Sequence, residues 1–98
     1  MEIKSIRHKS LYNFVVSGSS QGLPGNLVGR LRNMLAYLAA MADEVELTVP
    51  PNFGAHQLKG DRAGEWSLTV TKNWRMVFRI TRIDDIPVIE NIDLEDYH

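Results

Sequence analysis

Ninety-eight residues without a cysteine make one small domain, expected to span residues 1–98, with no disulfide framework, no thiolate metal site and no cysteine nucleophile. Apolar residues at 44% and charged residues at 23% are ordinary for a folded chain and argue against disorder. The longest apolar run, residues 34–42, is far short of the roughly 20 residues of a membrane span, and no signal-peptide core opens the chain, so a cytoplasmic protein without membrane contact is expected.

Residues 2–7 alternate partly and predict a first strand. Leu11, Phe14 and Val15 follow an i, i+3, i+4 pattern and predict a short helix over residues 10–16, broken by the Ser/Gly-rich run at 17–22. Pro24 suits the first turn of a second helix. Leu27, Leu31, Met34, Leu35, Leu38 and Met41 then keep helical spacing, so this helix should reach about residue 42. Residues 43–55, with Pro50-Pro51, read as a connector. Beyond them the period changes to two. Trp66, Leu68 and Val70 alternate with polar residues, as do Trp74, Met76, Phe78 and Ile80 after a turn at Lys72-Asn73, which predicts a β-hairpin. A further strand is expected over residues 87–94. The order β-α-α-β-β-β predicts an α+β fold, two helices packed on one face of a largely antiparallel sheet.

Net charge is only −1, but it is unevenly distributed. Residues 1–82 hold 11 Lys or Arg against 6 Asp or Glu, whereas residues 83–98 hold six acids and no Lys or Arg. The basic stretch 56–82 includes Lys59, Arg62, Lys72, Arg75, Arg79 and Arg82. It reads either as a phosphate-facing surface or as the intramolecular partner of the acidic C-terminal segment, through Arg79 or Arg82. His56 stands just before the hairpin, and Asp96, Tyr97 and His98 close the last strand. These are the parts a ribonuclease needs when the RNA 2′-OH is the nucleophile. The protein must remove one proton, stabilise the pentavalent phosphate and protonate the leaving 5′-oxygen. No HxxxH or HExxH spacing supports a metal site, and neither GxxxxGK nor GxGxxG is present. No cofactor is expected.

The segment His56-Gln57-Leu58-Lys59-Gly60-Asp61-Arg62-Ala63-Gly64-Glu65-Trp66-Ser67-Leu68 resembles the signature of the HigB-type toxins of the RelE/ParE superfamily. Asn73-Trp74-Arg75-Met76-Val77-Phe78-Arg79 and the ending Asp96-Tyr97-His98 resemble theirs too, as does the N-terminal Ile3-Lys4-Ser5-Ile6-Arg7 segment. The resemblance implies a RelE-like fold with a curved sheet. It implies a type II toxin that cuts mRNA in the ribosomal A site without metal. A HigA-like helix-turn-helix antitoxin would neutralise it and would alone touch operator DNA. Carried over, His56, Lys59, Asp96, Tyr97 and His98 are the candidate catalytic residues and Arg75 a candidate phosphate-binding residue; the basic stretch itself adds Arg62, Lys72 and Arg79 as candidate RNA- and phosphate-binding residues. Asp96 or His98 would serve as base and His56 or His98 as acid. Lys59 and Arg75 would stabilise the phosphate, and Tyr97 would stack on or orient the nucleotide. The residue pattern leaves two alternatives: a ParE-like gyrase inhibitor, or an inactive partner that only holds the antitoxin. Glu65 and Lys72 depart from the family pattern, and the segments around Pro50-Pro51 and residues 83–90 look long for it.

Overall fold

The computed structural model describes residues 1–96. Tyr97 and His98 therefore lie outside the described residues. The elements are β1 (Glu2–Ile3), α1 (Lys9–Ser17), α2 (Val28–Ala40), β2 (His56–Gln57), β3 (Glu65–Thr69), β4 (Trp74–Ile83) and β5 (Ile86–Asp96). Short 3-10 turns occupy Gly25–Leu27, Glu44–Thr48 and Gly60–Arg62. The strands form one sheet in the order β1-β5-β4-β3-β2. β1 runs parallel to β5, and the other pairings are antiparallel.

Local chemistry sets the helix ends. His8 caps α1, its Nδ1 accepting the Leu11 N–H at 3.2 Å. Gly18 ends the helix in the left-handed region at φ 79°, donating its N–H to the Phe14 carbonyl. Pro24 precedes a 3-10 turn, so α2 proper starts at Val28 and stops at Ala40. Leu31, Met34 and Leu38 on α2 and Leu11 on α1 are fully buried against Leu68, Met76, Phe78, Ile89 and Ile92 of the sheet. The expected two-helix layer on a mainly antiparallel sheet is present.

Four details differ from the sequence reading. β1 spans two residues, and the stretch to Arg7 is held instead by a bridge between Ile6 and Ile92 and by the Arg7 N–H on the Ile92 carbonyl. The connector is not featureless: Asp43 and Glu46 form a reciprocal capping box on a 3-10 turn. An extra strand, β2, pairs His56 and Gln57 with Ser67 and Trp66. Finally, β5 contains a bulge. Val77 and Arg79 on β4 oppose Asp93 and Glu90 on β5, and Asn91 takes φ 60° with its N–H on Ser5 Oγ at 2.8 Å. The extra residue returns Ile92 to the helix-covered face that Ile89 already occupies, so both are fully buried three positions apart.

The face of the sheet away from the helices carries the polar set. Cross-strand register places His56, Ser67, Val77 and Asp93 in one row, Thr69, Arg75 and Glu95 in a second, and Glu65, Arg79 and Glu90 in a third.

Candidate active site

His56 is exposed at the end of a loop that is fixed from several sides. Phe53 packs edge-on against Tyr37 of α2 with ring centroids 5.5 Å apart, lies under the Arg30 guanidinium, and accepts the Thr69 N–H through its carbonyl at 2.8 Å. Gly54 follows at φ 66°, where a Cβ would stand 3.2 Å from Thr69 Oγ1. The Gly54 carbonyl lies 3.1 Å from His56 Nδ1. With that ring nitrogen donating to the carbonyl, a neutral His56 presents Nε2 as a proton acceptor at the protein surface. Lys59 is two residues past β2, exposed, and directly precedes the turn Gly60–Arg62 without a side-chain bond to it.

Arg62 is the most heavily bonded side chain on this face. Its Nε and Nη2 donate to both oxygens of Glu65 at 2.9 and 3.1 Å. Its Nη1 and Nη2 donate to both oxygens of Glu95 at 3.0 and 2.5 Å. Arg75 Nε adds a hydrogen bond to Glu95 Oε1 at 2.9 Å. Glu65 and Glu95 lie on opposite sides of the Ser67–Val77 row, so Arg62 crosses that row to reach both. Ser67 and Val77 are each only 2% exposed although neither belongs to the helix-side core. The hydrogen bonds from Arg62 hold the carboxyls of Glu65 and Glu95 below the usual carboxylate range, against the opposing effect of burial, and Arg75 adds to the effect on Glu95. The same bonds, first to Glu65 and then to Glu95, hold the Arg62 guanidinium more firmly protonated.

Of the two sequence readings of the basic stretch, intramolecular pairing describes Arg62 and Arg75, whose partner in the acidic segment is Glu95. Arg82 pairs elsewhere, with Asp43 and Glu44, and donates to the Asp85 carbonyl. Arg79 donates to the Ala63 carbonyl at 3.4 Å, beside Gly64, where a Cβ would come within 2.9 Å of the guanidinium. Lys72 is exposed on the β3–β4 turn. Asp96 ends β5 opposite Trp74, one position beyond the Arg75–Glu95 pair. His56 and Asp96 thus stand on β2 and β5, with β3 and β4 between them. Tyr97 and His98 fall outside the described residues. Among the described residues no three of His, Asp and Glu form a group able to hold a metal ion, and no helix is long and apolar enough to cross a membrane.

Glu95 was legible only as one acid in a run of acids, and Glu65 only as a departure from the family pattern. The signal available for Glu95 was its two-residue spacing from Asp93, which puts both on the strand face opposite Leu94.

Comparison with known proteins matches residues 4–98 to the model of the RelE-like toxin HigB of type II toxin-antitoxin systems. The chain is 35% identical over 96 residues to the endoribonuclease HigB of Proteus vulgaris, covering 98% of this chain and 99% of that protein. Among solved structures, a YoeB/ParE toxin from Agrobacterium tumefaciens superposes with a TM-score of 0.66 at 18% identity, covering all of both chains. A YafQ mutant from E. coli superposes at 0.52 and 15% identity over 93% of this chain and 91% of that one. Those two structures establish the fold. With the family match running through the sheet and the C-terminal segment, this chain belongs to the HigB-like, RelE-type toxins of type II toxin-antitoxin systems.

Proposed function

We propose that this protein is an endoribonuclease that cuts mRNA in the ribosomal A site, with the RNA 2′-OH as nucleophile and no metal ion. The observation that supports this best is the 35% identity, over nearly the full length, to a named endoribonuclease, together with an exposed histidine oriented by a backbone carbonyl. In this reading His56 and the C-terminal residues Asp96, Tyr97 and His98 handle protons and the nucleotide. Asp96 or His98 takes the 2′-OH proton, and His56 or His98 returns one to the leaving 5′-oxygen. Lys59, with Arg75, Lys72 and Arg79, supplies positive charge to the phosphate and its neighbours. Tyr97 stacks on or orients the base. A small HigA-like antitoxin is the neutralising partner.

The test is cleavage of mRNA on programmed ribosomes, mapped by primer extension, for wild type and for Asp96→Ala and His98→Ala, in Mg²⁺ buffer with 1,10-phenanthroline to strip transition metals. Codon-phased cuts that survive the chelator and vanish in the variants support the reading. An absence of cuts from folded wild-type protein overturns it. A gyrase supercoiling assay then asks whether the chain acts on that target instead.

A further inference from the structure

The turn that carries Lys59 and Arg62 has little of its own to hold it in place. It spans one 3-10 turn, Gly60–Arg62, with no side-chain cap and no buried residue. The strand before it, β2, is two residues long and exposed on both. Its backbone anchors are the Leu58 N–H on the Glu65 carbonyl, the Ala63 N–H on the Gly60 carbonyl and the Arg79 guanidinium of β4 on the Ala63 carbonyl at 3.4 Å, and none of them reaches β5. Glu65 is three residues from Arg62, so that pair also ties the turn only to its own hairpin. The contact with Glu95 is different. It spans 33 residues and two intervening strand pairings, and it ends one residue before Asp96. Glu95 is itself fixed, because Arg75 bonds Oε1 from the neighbouring strand.

We propose that Glu95 is a positioning residue of the site: through Arg62 it docks the 59–62 turn, and with it Lys59, against the end of β5 that carries Asp96. Arg62 is then a strut across the open face rather than a phosphate ligand, since four of its N–H···O contacts are committed to two carboxylates. The proposal rests on the ribonuclease reading above. It gives the site a fixed width, set by one forked guanidinium, which an ammonium cannot reproduce.

The experiment compares wild type, Glu95→Gln, Arg62→Lys and the double variant, with Glu65→Gln as a control that leaves the long-range contact in place. Three quantities are read: the single-turnover cleavage rate on programmed ribosomes, the affinity for the same complex with a non-cleavable 2′-deoxy mRNA, and amide hydrogen exchange. A misplacement on the order of 1 Å costs up to about 100-fold in rate. The cleavage rate of Glu95→Gln and of Arg62→Lys is therefore expected to fall about 10- to 100-fold. Affinity for the non-cleavable complex should hold or tighten, because Glu95→Gln removes a negative charge facing an anion. The double variant should be no worse than either single variant, as for two ends of one contact. The Leu58 and Ala63 amides should exchange about 10-fold faster while that of Leu94 does not change. An unchanged cleavage rate overturns the proposal, as does a loss that lies wholly in affinity or that adds between the two variants. Unchanged exchange at Leu58 and Ala63 overturns the docking itself. A wild type that cuts nothing overturns the ribonuclease reading and the catalytic part of this one, and the exchange data then still decide whether Glu95 docks the turn.

Discussion

Truncating Arg62 tests the energetics of the open face. In Arg62→Ala four charge-assisted hydrogen bonds disappear, and the Glu65 and Glu95 carboxylates lose their main counter-charge. Fully buried, the loss of one partner costs about 3–5 kcal/mol; fully exposed, an ion pair is worth at most about 1 kcal/mol. The Arg62 side chain is 35% exposed and the two carboxylate side chains 16% and 25%, which lies between these limits. The expected loss is about 2 kcal/mol, or a fall in Tm of about 8–16 °C for a chain of this size. The pH dependence identifies the source. Glu65 and Glu95 have folded-state pKa values below their ordinary ones. Their contribution is therefore fully present above the unfolded value of about 4.3 and is lost as the pH falls through the lower folded values. Wild type and Arg62→Ala should differ by about 2 kcal/mol at pH 7 and converge in acid. Urea denaturation followed by the fluorescence of Trp66 and Trp74 measures both. A gap at pH 7 below about 0.5 kcal/mol, or one that persists undiminished in acid, would refute the account.

Three further outcomes are expected. His56→Ala should lower the cleavage rate by about 10²- to 10⁴-fold, while its exposed position keeps the unfolding free energy from urea denaturation within about 0.5 kcal/mol of wild type; a large stability change would give the ring a structural role instead. Phe78→Ala, at a position 1% exposed in the middle of β4, should cost about 3–5 kcal/mol by calorimetry, and a smaller loss would mean that the helices close over the gap. The β4–β5 turn holds Asp84 and Asp85 at φ 52° and 67°, so Asp85→Gly should stabilise the hairpin by about 0.5–1 kcal/mol; a decrease in Tm would show that the aspartate side chain contributes more than the backbone strain.

Periodicity carried much of the fold. The apolar series on α2 and the alternation of Trp66 and Leu68 against Met76 and Phe78 are patterns in which each residue reports its own environment, and both elements formed where the pattern lay. The parts that escaped depend on contacts instead. β2 has no apolar residue to announce it, because an edge strand of two residues exists through backbone bonds to β3 alone. The bulge at Asn91 depends on a hydroxyl 86 residues away. The capping box of Asp43 and Glu46 was readable as a D-x-x-E spacing but was masked by the neighbouring prolines. The same division holds for the site. His56, Lys59 and Asp96 stand out by type and by family likeness, whereas the pairing of Arg62 and Arg75 with Glu95 follows only from strand register.

The order of the strands also sets a time at which the open face can exist. β5 lies second in the sheet but follows every other element in the chain, and its first parallel partner, Glu2, is 86 positions before Val88. Before β5 docks, β4 is an unpaired edge, Arg75 and Arg62 lack the Glu95 carboxylate, and Asp96 is not in the sheet. A chain made from its N-terminus therefore holds His56 and Lys59 in a half-built sheet until residues 86–96 leave the ribosome that is making them. The surface proposed as the active site forms in one late, long-range step rather than growing with the chain.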